Sequence, residues 1–356
     1  MPRQLPPVVR WTGRVAPLLV AAGLLSGPAR AAEDGMRPDR LCAGYDGMPA
    51  TGHGAGPPGM VEVPGGSFTM GSDEQRPEER RAHRVTLAGF WIDRHEVTNA
   101  QFAAFIEATG YLTVAERDLD PRQYPGMPQD LLVPGSMVFE IPRQVQGMAD
   151  VSQWWRYVPG ADWRHPAGPE SSIEGKENHP VVQVAHEDAR AYAAWAGRSL
   201  PTEAQWEYAA RGGLEGAAYS WGDSYDPARG WKANTWQGRF PVEDGADDGH
   251  HGTAPVGCFE PNGYGLFDMA GNVWEWAADW YAPGHSSSPA TDPSGPDVFL
   301  AAAAAPDGLP RRVIKGGSWL CADNFCGRYR PGARQPMEAD LGASHIGFRT
   351  VLEVQR

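Results

Sequence analysis

Cys321-Ala322-Asp323-Asn324-Phe325-Cys326 sets two thiols with four residues between them. That gap is longer than the two-residue gap of zinc ribbons and thioredoxin-type motifs. Two soft sulfur donors with no nearby histidine favour Cu(I), which accepts low coordination numbers and can admit a third sulfur. A plain disulfide is the competing reading, since thiols of exported proteins usually pair. Spacing alone leaves both open.

Two oxygen-rich stretches could hold a harder ion. Asp244, Asp247 and Asp248 lie among glycines, with Asn234 upstream. Hard oxygens on a tight loop suit Ca²⁺, although the spacing is not that of an EF-hand. A solvated acidic loop would have the same composition. In Asn262 to Trp276, Gly263, Gly265 and Gly271 permit turns that aim carbonyls at a cation, with Asp268 and Glu275 supplying charge. An aromatic structural core would use the same residues. The histidines form no site by themselves. His179, before Pro180, reads as structural, and His345 as a surface or supporting residue. The chain has no nucleophile elbow, Walker loop or dinucleotide fingerprint.

These stretches must be held by a scaffold with few regular elements. Thr98-x-x-Gln101 is a capping box, followed at helical spacing by Phe102, Phe105 and Ile106. A second helix is expected from His186 to Ala196, ended by Gly197. A third opens at Thr202 with Gln205 completing its box, and ends at Gly212-Gly213. Met60 to Gly71 alternates around Gly65-Gly66 and predicts a hairpin; Val85 to Asp93 predicts a strand. Residues 117–180 read as mostly irregular, and 282–310 as a Ser/Pro/Ala-rich loop.

With 356 residues, 41% apolar and 21% charged, the chain suits one large folded domain or two ordinary ones. Its 14 Trp point to a loop-built core and to peptide- or sugar-binding surfaces. Residues 1–31 read as a signal peptide: Arg3, Arg10 and Arg14, an apolar run from Val15 to Leu25, then Ala29-Arg30-Ala31. The protein is therefore expected to be exported, periplasmic or secreted. Residues 32–58 read as a flexible linker. Cleavage after residue 31 leaves 27 basic against 44 acidic residues. Such a balance disfavours nucleic acid and suits cationic, Arg-bearing peptides. No later stretch is long and apolar enough to span a membrane, so no membrane association is expected after cleavage.

Taken together, the chain resembles the formylglycine-generating enzyme family from about Met60 to Val351. The anchors are Gly-Gly-Ser-Phe-Thr-Met-Gly at 65–71, His95-Glu96-Val97-Thr98-Asn99, Leu200 to Tyr208, Gly271 to Trp276, Gly316-Gly317-Ser318-Trp319 and Ile346-Gly347-Phe348-Arg349. A wider superfamily with a C-type-lectin-like fold shares them, including sulfoxide-forming iron enzymes and non-catalytic relatives. Two features narrow the resemblance: the cysteine pair within Ser318-x-x-Cys-x4-Cys-x-Arg-Tyr-Arg, and Gly160 to Pro166. An iron enzyme would need a His-x3-His-x-Glu set, which the chain lacks.

The resemblance implies an α+β, C-type-lectin-like domain over 59–354 with little regular secondary structure. It implies an oxidase that converts the cysteine of a Cys-x-Pro-x-Arg motif, in an unfolded segment of a sulfatase-type protein, to formylglycine. Cys321 and Cys326 would hold Cu(I), and the substrate cysteine would join as a third thiolate. O2 would bind nearby, a C–H bond of that cysteine would break, and the resulting thioaldehyde would hydrolyse. An external thiol reductant would supply the remaining electrons. Ser318 would position substrate or oxygen, and Trp274 would form an apolar wall that excludes water. Glu96 and Asp120 would bind the substrate arginine. Two structural Ca²⁺ sites are implied: Asn234, the carbonyl of Thr235, Asp248 and the carbonyl of His250; then Asp268, the carbonyls of Gly271 and Val273, and Glu275. Phe325 stands where the family often has Tyr. Pro331 and Thr350 occupy positions of disulfides found in animal members, and Cys42 and Cys258 are left over. The chain is expected to act as a monomer. A non-catalytic, calcium-stabilised binding paralogue of the same fold is the alternative.

Overall fold

The computed structural model describes residues 41–49, 56–122, 126, 128 and 132–354. The expected signal peptide lies outside these residues. Reciprocal caps start two helices as the sequence suggests. Thr98 N–H donates to Gln101 Oε1 at 2.8 Å and Gln101 N–H to Thr98 Oγ1 at 3.2 Å, opening α1 (Asn99–Thr109), which ends at left-handed Gly110. α2 (His186–Trp195) starts differently: the Asp188 carboxylate accepts Ala185 N–H at 2.8 Å. Thr202 and Gln205 repeat the reciprocal cap at α3 (Glu203–Arg211), ended by Gly212.

The expected hairpin at 60–71 does not form. β1 (Met60–Val63) and β2 (Gly66–Met70) belong to different sheets. β2 pairs with β3 (His83–Leu87), and β1 with β4 (Phe90–Asp93), both antiparallel. A tight hairpin turn needs positive φ, and neither Gly65 nor Gly66 has it. Gly65 instead lets two backbones cross, since a Cβ there would lie 2.9 Å from Gly89 N. The strand expected over 85–93 is likewise split at Ala88-Gly89, where the chain changes sheet.

Residues 117–180 are less irregular than their composition suggests. β5 (Gly135–Phe139) and β6 (Trp155–Pro159) pair antiparallel over their full lengths. The largest sheet contains β7 (Trp274–Trp280) at its centre. The loop at 282–310 holds a short strand, β8 (Ala290–Thr291), beside β3, and a helix, α4 (Val298–Ala304). β9 (Arg312–Lys315), β10 (Arg334–Met337) and β11 (Ile346–Gly347) complete the large sheet in the order β10-β9-β7-β11. β12 (Val351–Glu353) pairs with the free edge of β4, so the order there is β1-β4-β12.

Buried ion pairs fix what the strands do not. Glu207 meets Arg211 and Lys315, Glu203 meets Arg334, and Arg349 grips Glu275 through two hydrogen bonds of 2.7 Å. Such pairs tie distant loops but are strongly destabilising only when one partner is removed. The expected linker is not free where it is described. Cys42 is bonded to Cys258, Asn178 Nδ2 donates to the Cys42 carbonyl at 3.0 Å, and Thr98 Oγ1 to that of Gly47 at 2.5 Å. Among the described residues no helix is long and apolar enough to cross a membrane.

Candidate active site

β9 leads directly into the cysteine loop. Gly316 and Gly317 both have positive φ, and a Cβ on Gly317 would sit 3.0 Å from the backbone of Arg328 and Tyr329. Only glycine allows the two ends of the loop to approach so closely. Cys321 N–H donates to the Ser318 carbonyl at 2.9 Å, and Cys326 N–H to that of Ala322 at 3.0 Å. These turns bring the two cysteine Cα atoms within 4.7 Å, and the sulfurs are bonded to each other. Both cysteines are buried, as is Ser318, whose Oγ accepts Leu320 N–H at 3.3 Å.

The loop is anchored from three sides. Trp319 N–H donates to the Asn272 carbonyl at 2.9 Å, and Gly271 N–H to that of Gly316 at 3.0 Å. Arg76, from the β2–β3 connection, donates to the Cys326 carbonyl. Glu78 and Glu79 of the same connection pair with Arg328 and Arg330. Trp274 lies in the same apolar cluster as the cysteine pair, with Tyr329 and Trp163. Its N–H donates to the His345 carbonyl at 2.9 Å. The His345 ring packs 4.7 Å from Trp155, and burial pushes its pKa down to about 3, so it stays neutral. Phe325 stacks on Phe240 at 4.3 Å and 9° and meets Trp154 edge-on. A cleft of about 390 Å³ opens beside the loop, lined by Tyr225, Trp231, Trp236, Asp323, Asn324 and Tyr329 among others.

Next to this lie the two oxygen-rich loops. In the first, Thr235 N–H and His250 N–H both donate to Asp248, at 3.1 and 3.0 Å. Gln237 Nε2 donates to both the Thr235 carbonyl and Asp248 Oδ2, so two of the expected ligand oxygens point toward one spot. Burial raises the Asp248 pKa. Asn234 joins this group through its backbone carbonyl, which accepts Asn272 N–H at 2.8 Å. In the second, Asp268 and Glu275 are buried with Glu96; the Arg349 guanidinium bonds the Glu275 carboxylate and feels the charges of the other two. Burial, then the neighbouring Asp268 charge, drives Glu96 well up; burial moves Asp268 up to about 6. Among the described residues, Glu96 Oε2 has no hydrogen-bond partner. Gly271 brings its backbone against that of Asn234 and so joins the two loops; Val273 follows, buried, before β7.

A profile of the sulfatase-modifying factor enzyme 1-like domain matches residues 48–354. A formylglycine-generating enzyme of Mycobacterium tuberculosis is 53% identical over 294 residues, 83% of this chain and 97% of its own length. The chain belongs to the formylglycine-generating enzyme family. A mouse member named inactive C-alpha-formylglycine-generating enzyme 2 is 42% identical over 82% of this chain and 85% of its own. The fold is that of the formylglycine-generating enzymes, α+β and C-type-lectin-like. It is similar to the solved structure of PvdO from Pseudomonas aeruginosa, with a TM-score of 0.56 and 28% identity over 83% of this chain and 94% of that one.

The two positions expected to bind a substrate arginine fare differently here. Glu96 is fully buried and accepts Asn272 Nδ2 at 3.1 Å. It therefore offers no surface to a peptide arginine, and the expectation for it fails. The cause is local: His95 and Glu96 connect β4 to α1 beneath the second acidic loop. Asp120 stays partly exposed and pairs with Arg122 at 2.7 Å. Sequence reasoning missed Gln237 and Arg76, and gave Asn272 no role of its own although it lies inside the Gly271 to Trp276 anchor. Their roles rest on contacts between distant segments.

Proposed function

We propose that this formylglycine-generating enzyme family member is a copper-dependent oxidase. It converts the cysteine of a Cys-x-Pro-x-Arg motif in a sulfatase-type protein to C-alpha-formylglycine, using O2 and a thiol reductant. The convergence of Cys321 and Cys326 in a buried apolar pocket carries this reading. Reduction of their bond frees two soft sulfurs that reach one point, which is the donor set Cu(I) prefers. Copper held there would supply the oxidising chemistry. The chain's own residues prepare the substrate. Trp274 and the surrounding apolar cluster exclude water, which raises the strength of any polar contact inside. Ser318 borders the cysteines from the N-terminal side of their loop and can orient the peptide. Asp120 is the carboxylate left to take the substrate arginine.

Two Ca²⁺ ions complete the reading, with structural roles. Asn234, Asp248 and the carbonyls of Thr235 and His250 would hold the first. Asp268, Glu275 and the carbonyls of Gly271 and Val273 would hold the second. The convergence on Gln237 Nε2 and the unpartnered Glu96 Oε2 both fit a nearby cation. Export through residues 1–31 and action as a monomer belong to the same reading.

The test is incubation of the reduced protein with Cu(I), O2, a thiol and the peptide Leu-Cys-Thr-Pro-Ser-Arg. Mass spectrometry should show loss of one sulfur and two hydrogens and gain of one oxygen. Absence of product from wild type, or equal product from Cys326→Ser, would overturn the proposal. The inactive mouse relative keeps a second reading in view, a non-catalytic calcium-stabilised binding protein. The paired cysteines argue against it, because binding alone has no need of them.

A further inference from the structure

A column of aromatic rings leads from the buried cysteine loop outward. Tyr329 shares the apolar cluster of Cys321 and Cys326, and its hydroxyl donates to Asp323, which lies between the two cysteines. The Tyr329 ring stacks with Tyr219 at 6.2 Å and meets Tyr225 at 5.8 Å. Tyr219 stacks on Trp221 at 5.0 Å and 5°, Trp221 meets Tyr225 at 5.4 Å, and Tyr225 meets Trp231 at 6.2 Å. Tyr329 is 4% exposed, whereas the four outer rings are half-buried. Tyr225, Trp231 and an edge of Tyr329 line the cleft of about 390 Å³.

Two features set this column apart from ordinary packing. Every ring in it is Tyr or Trp, the aromatic side chains that can lose one electron under protein conditions. The cluster around Phe139, Phe240 and Phe325 also contains Trp154, Trp155, Trp236 and Trp319, but it holds no tyrosine. Second, the innermost phenol already donates to a carboxylate. A tyrosine gives up an electron readily only if its proton has somewhere to go, and Asp323 is that acceptor.

We propose that Tyr329, Tyr219, Trp221, Tyr225 and Trp231 form an electron relay between the cysteine pair and an external thiolate donor in the cleft. The proposal rests on the oxidase reading above. An oxidising equivalent that O2, the final electron acceptor, generates at the cysteine pair takes one electron from Tyr329, and the phenolic proton passes to Asp323. The resulting tyrosyl radical is refilled through the outer rings by a thiolate, which becomes a thiyl radical and pairs with a second thiol-derived radical as a disulfide. Asp323 then returns its proton to Tyr329. The net change is one electron moved from the thiolate to the site. The relay supplies electrons to the reaction centre while a peptide occupies it. It also drains oxidising equivalents when no peptide is bound.

The deciding experiment needs neither copper nor peptide. The metal-free full chain is oxidised at its surface by a photoexcited ruthenium tris-bipyridine complex with a quencher, and transient absorption follows the radicals. A tryptophan radical should form first and convert to a tyrosyl radical. In Tyr329→Phe the tyrosyl yield should fall severalfold. In Asp323→Asn, at an exposed position, the conversion should slow severalfold while the tryptophan signal persists. The Asp323 variant decides the matter if the Tyr329 variant does not fold. Unchanged yields and rates in the folded variants would overturn the relay. Radical transfer without any peptide conversion by the copper-loaded enzyme would leave the relay standing and remove the oxidase reading.

Discussion

Asn272 Oδ1 accepts a hydrogen bond from Asn234 Nδ2 at 3.1 Å, and the same side chain donates to Glu96 Oε1 at 3.1 Å. One residue thereby connects the first oxygen-rich loop, the second acidic cluster and, through its carbonyl, Trp319 of the cysteine loop. Its φ of 54° lies in the left-handed region, which Asn tolerates better than other non-glycine residues. Asn272→Ala should lower stability by about 2–4 kcal/mol, since it leaves buried partners unpaired and strains the backbone. Asn272→Gly removes the same hydrogen bonds but accepts the φ, so it should lose less. Urea denaturation of the two variants separates the contributions; equal losses would remove backbone strain from the account.

The Gln237 contacts lead to a test of ion binding. If the Thr235 carbonyl and Asp248 take a cation, Ca²⁺ should raise Tm and a chelator should lower it. Saturation at about 100 times Kd corresponds to about 2.7 kcal/mol. Asp248→Ala should abolish most of the response, measured by thermal scanning against a Mg²⁺ control. An unchanged response in that variant would place the ion elsewhere.

Asp120 and Arg122 form an exposed pair, with side chains 31% and 89% accessible. Such pairs are weak, so a substrate arginine can displace Arg122. Asp120→Ala should raise KM for a Cys-x-Pro-x-Arg peptide about tenfold, equivalent to about 1.4 kcal/mol, and change little for the peptide with Ala in place of Arg. Arg122→Ala, which frees the carboxylate, should lower KM. Equal effects on both peptides would exclude Asp120 from arginine binding.

Asp279, on β7, accepts Glu203 N–H at 2.7 Å at the start of α3. Burial, reinforced by the Glu203 charge, pushes its pKa up to about 7. The native state therefore binds this proton more tightly than the unfolded chain does. Its contribution to stability is fully present below the usual carboxylate pKa and is lost as pH rises toward about 7. Asp279→Asn retains an acceptor for Glu203 N–H but cannot ionise. Relative to wild type it should gain stability between pH 4 and pH 7.5, by at most about 4 kcal/mol. A pH-independent difference in Tm would contradict the shift.

Local chemistry made part of this molecule legible in its sequence. Two capping boxes and their terminal glycines placed α1 and α3 within a residue or two, because every interaction involved lies within one turn. The cysteine loop was readable for the same reason. The partition of β1 and β2 into separate sheets was not, since Gly65-Gly66 supports either a hairpin or a crossing and Gly89 decides between them. β5 and β6 were missed because the segment joining them is long and lacks a turn signature. Glu96 misled for a related reason. Its burial depends on Asn272, far away in the sequence, so its neighbours in the chain say nothing of it.

The bond between Cys42 and Cys258 changes how mechanical load would pass through the protein. Tension applied ahead of Leu41 reaches Cys258 first and bypasses β1, leaving the short β1–β4 pairing unstressed. An intact bond thus permits attachment to a surface or a carrier through the N-terminus without peeling the edge of the sheet. Once it is cut, the same pull is borne by the hydrogen bonds at Cys42 and Gly47 and then arrives at Met60.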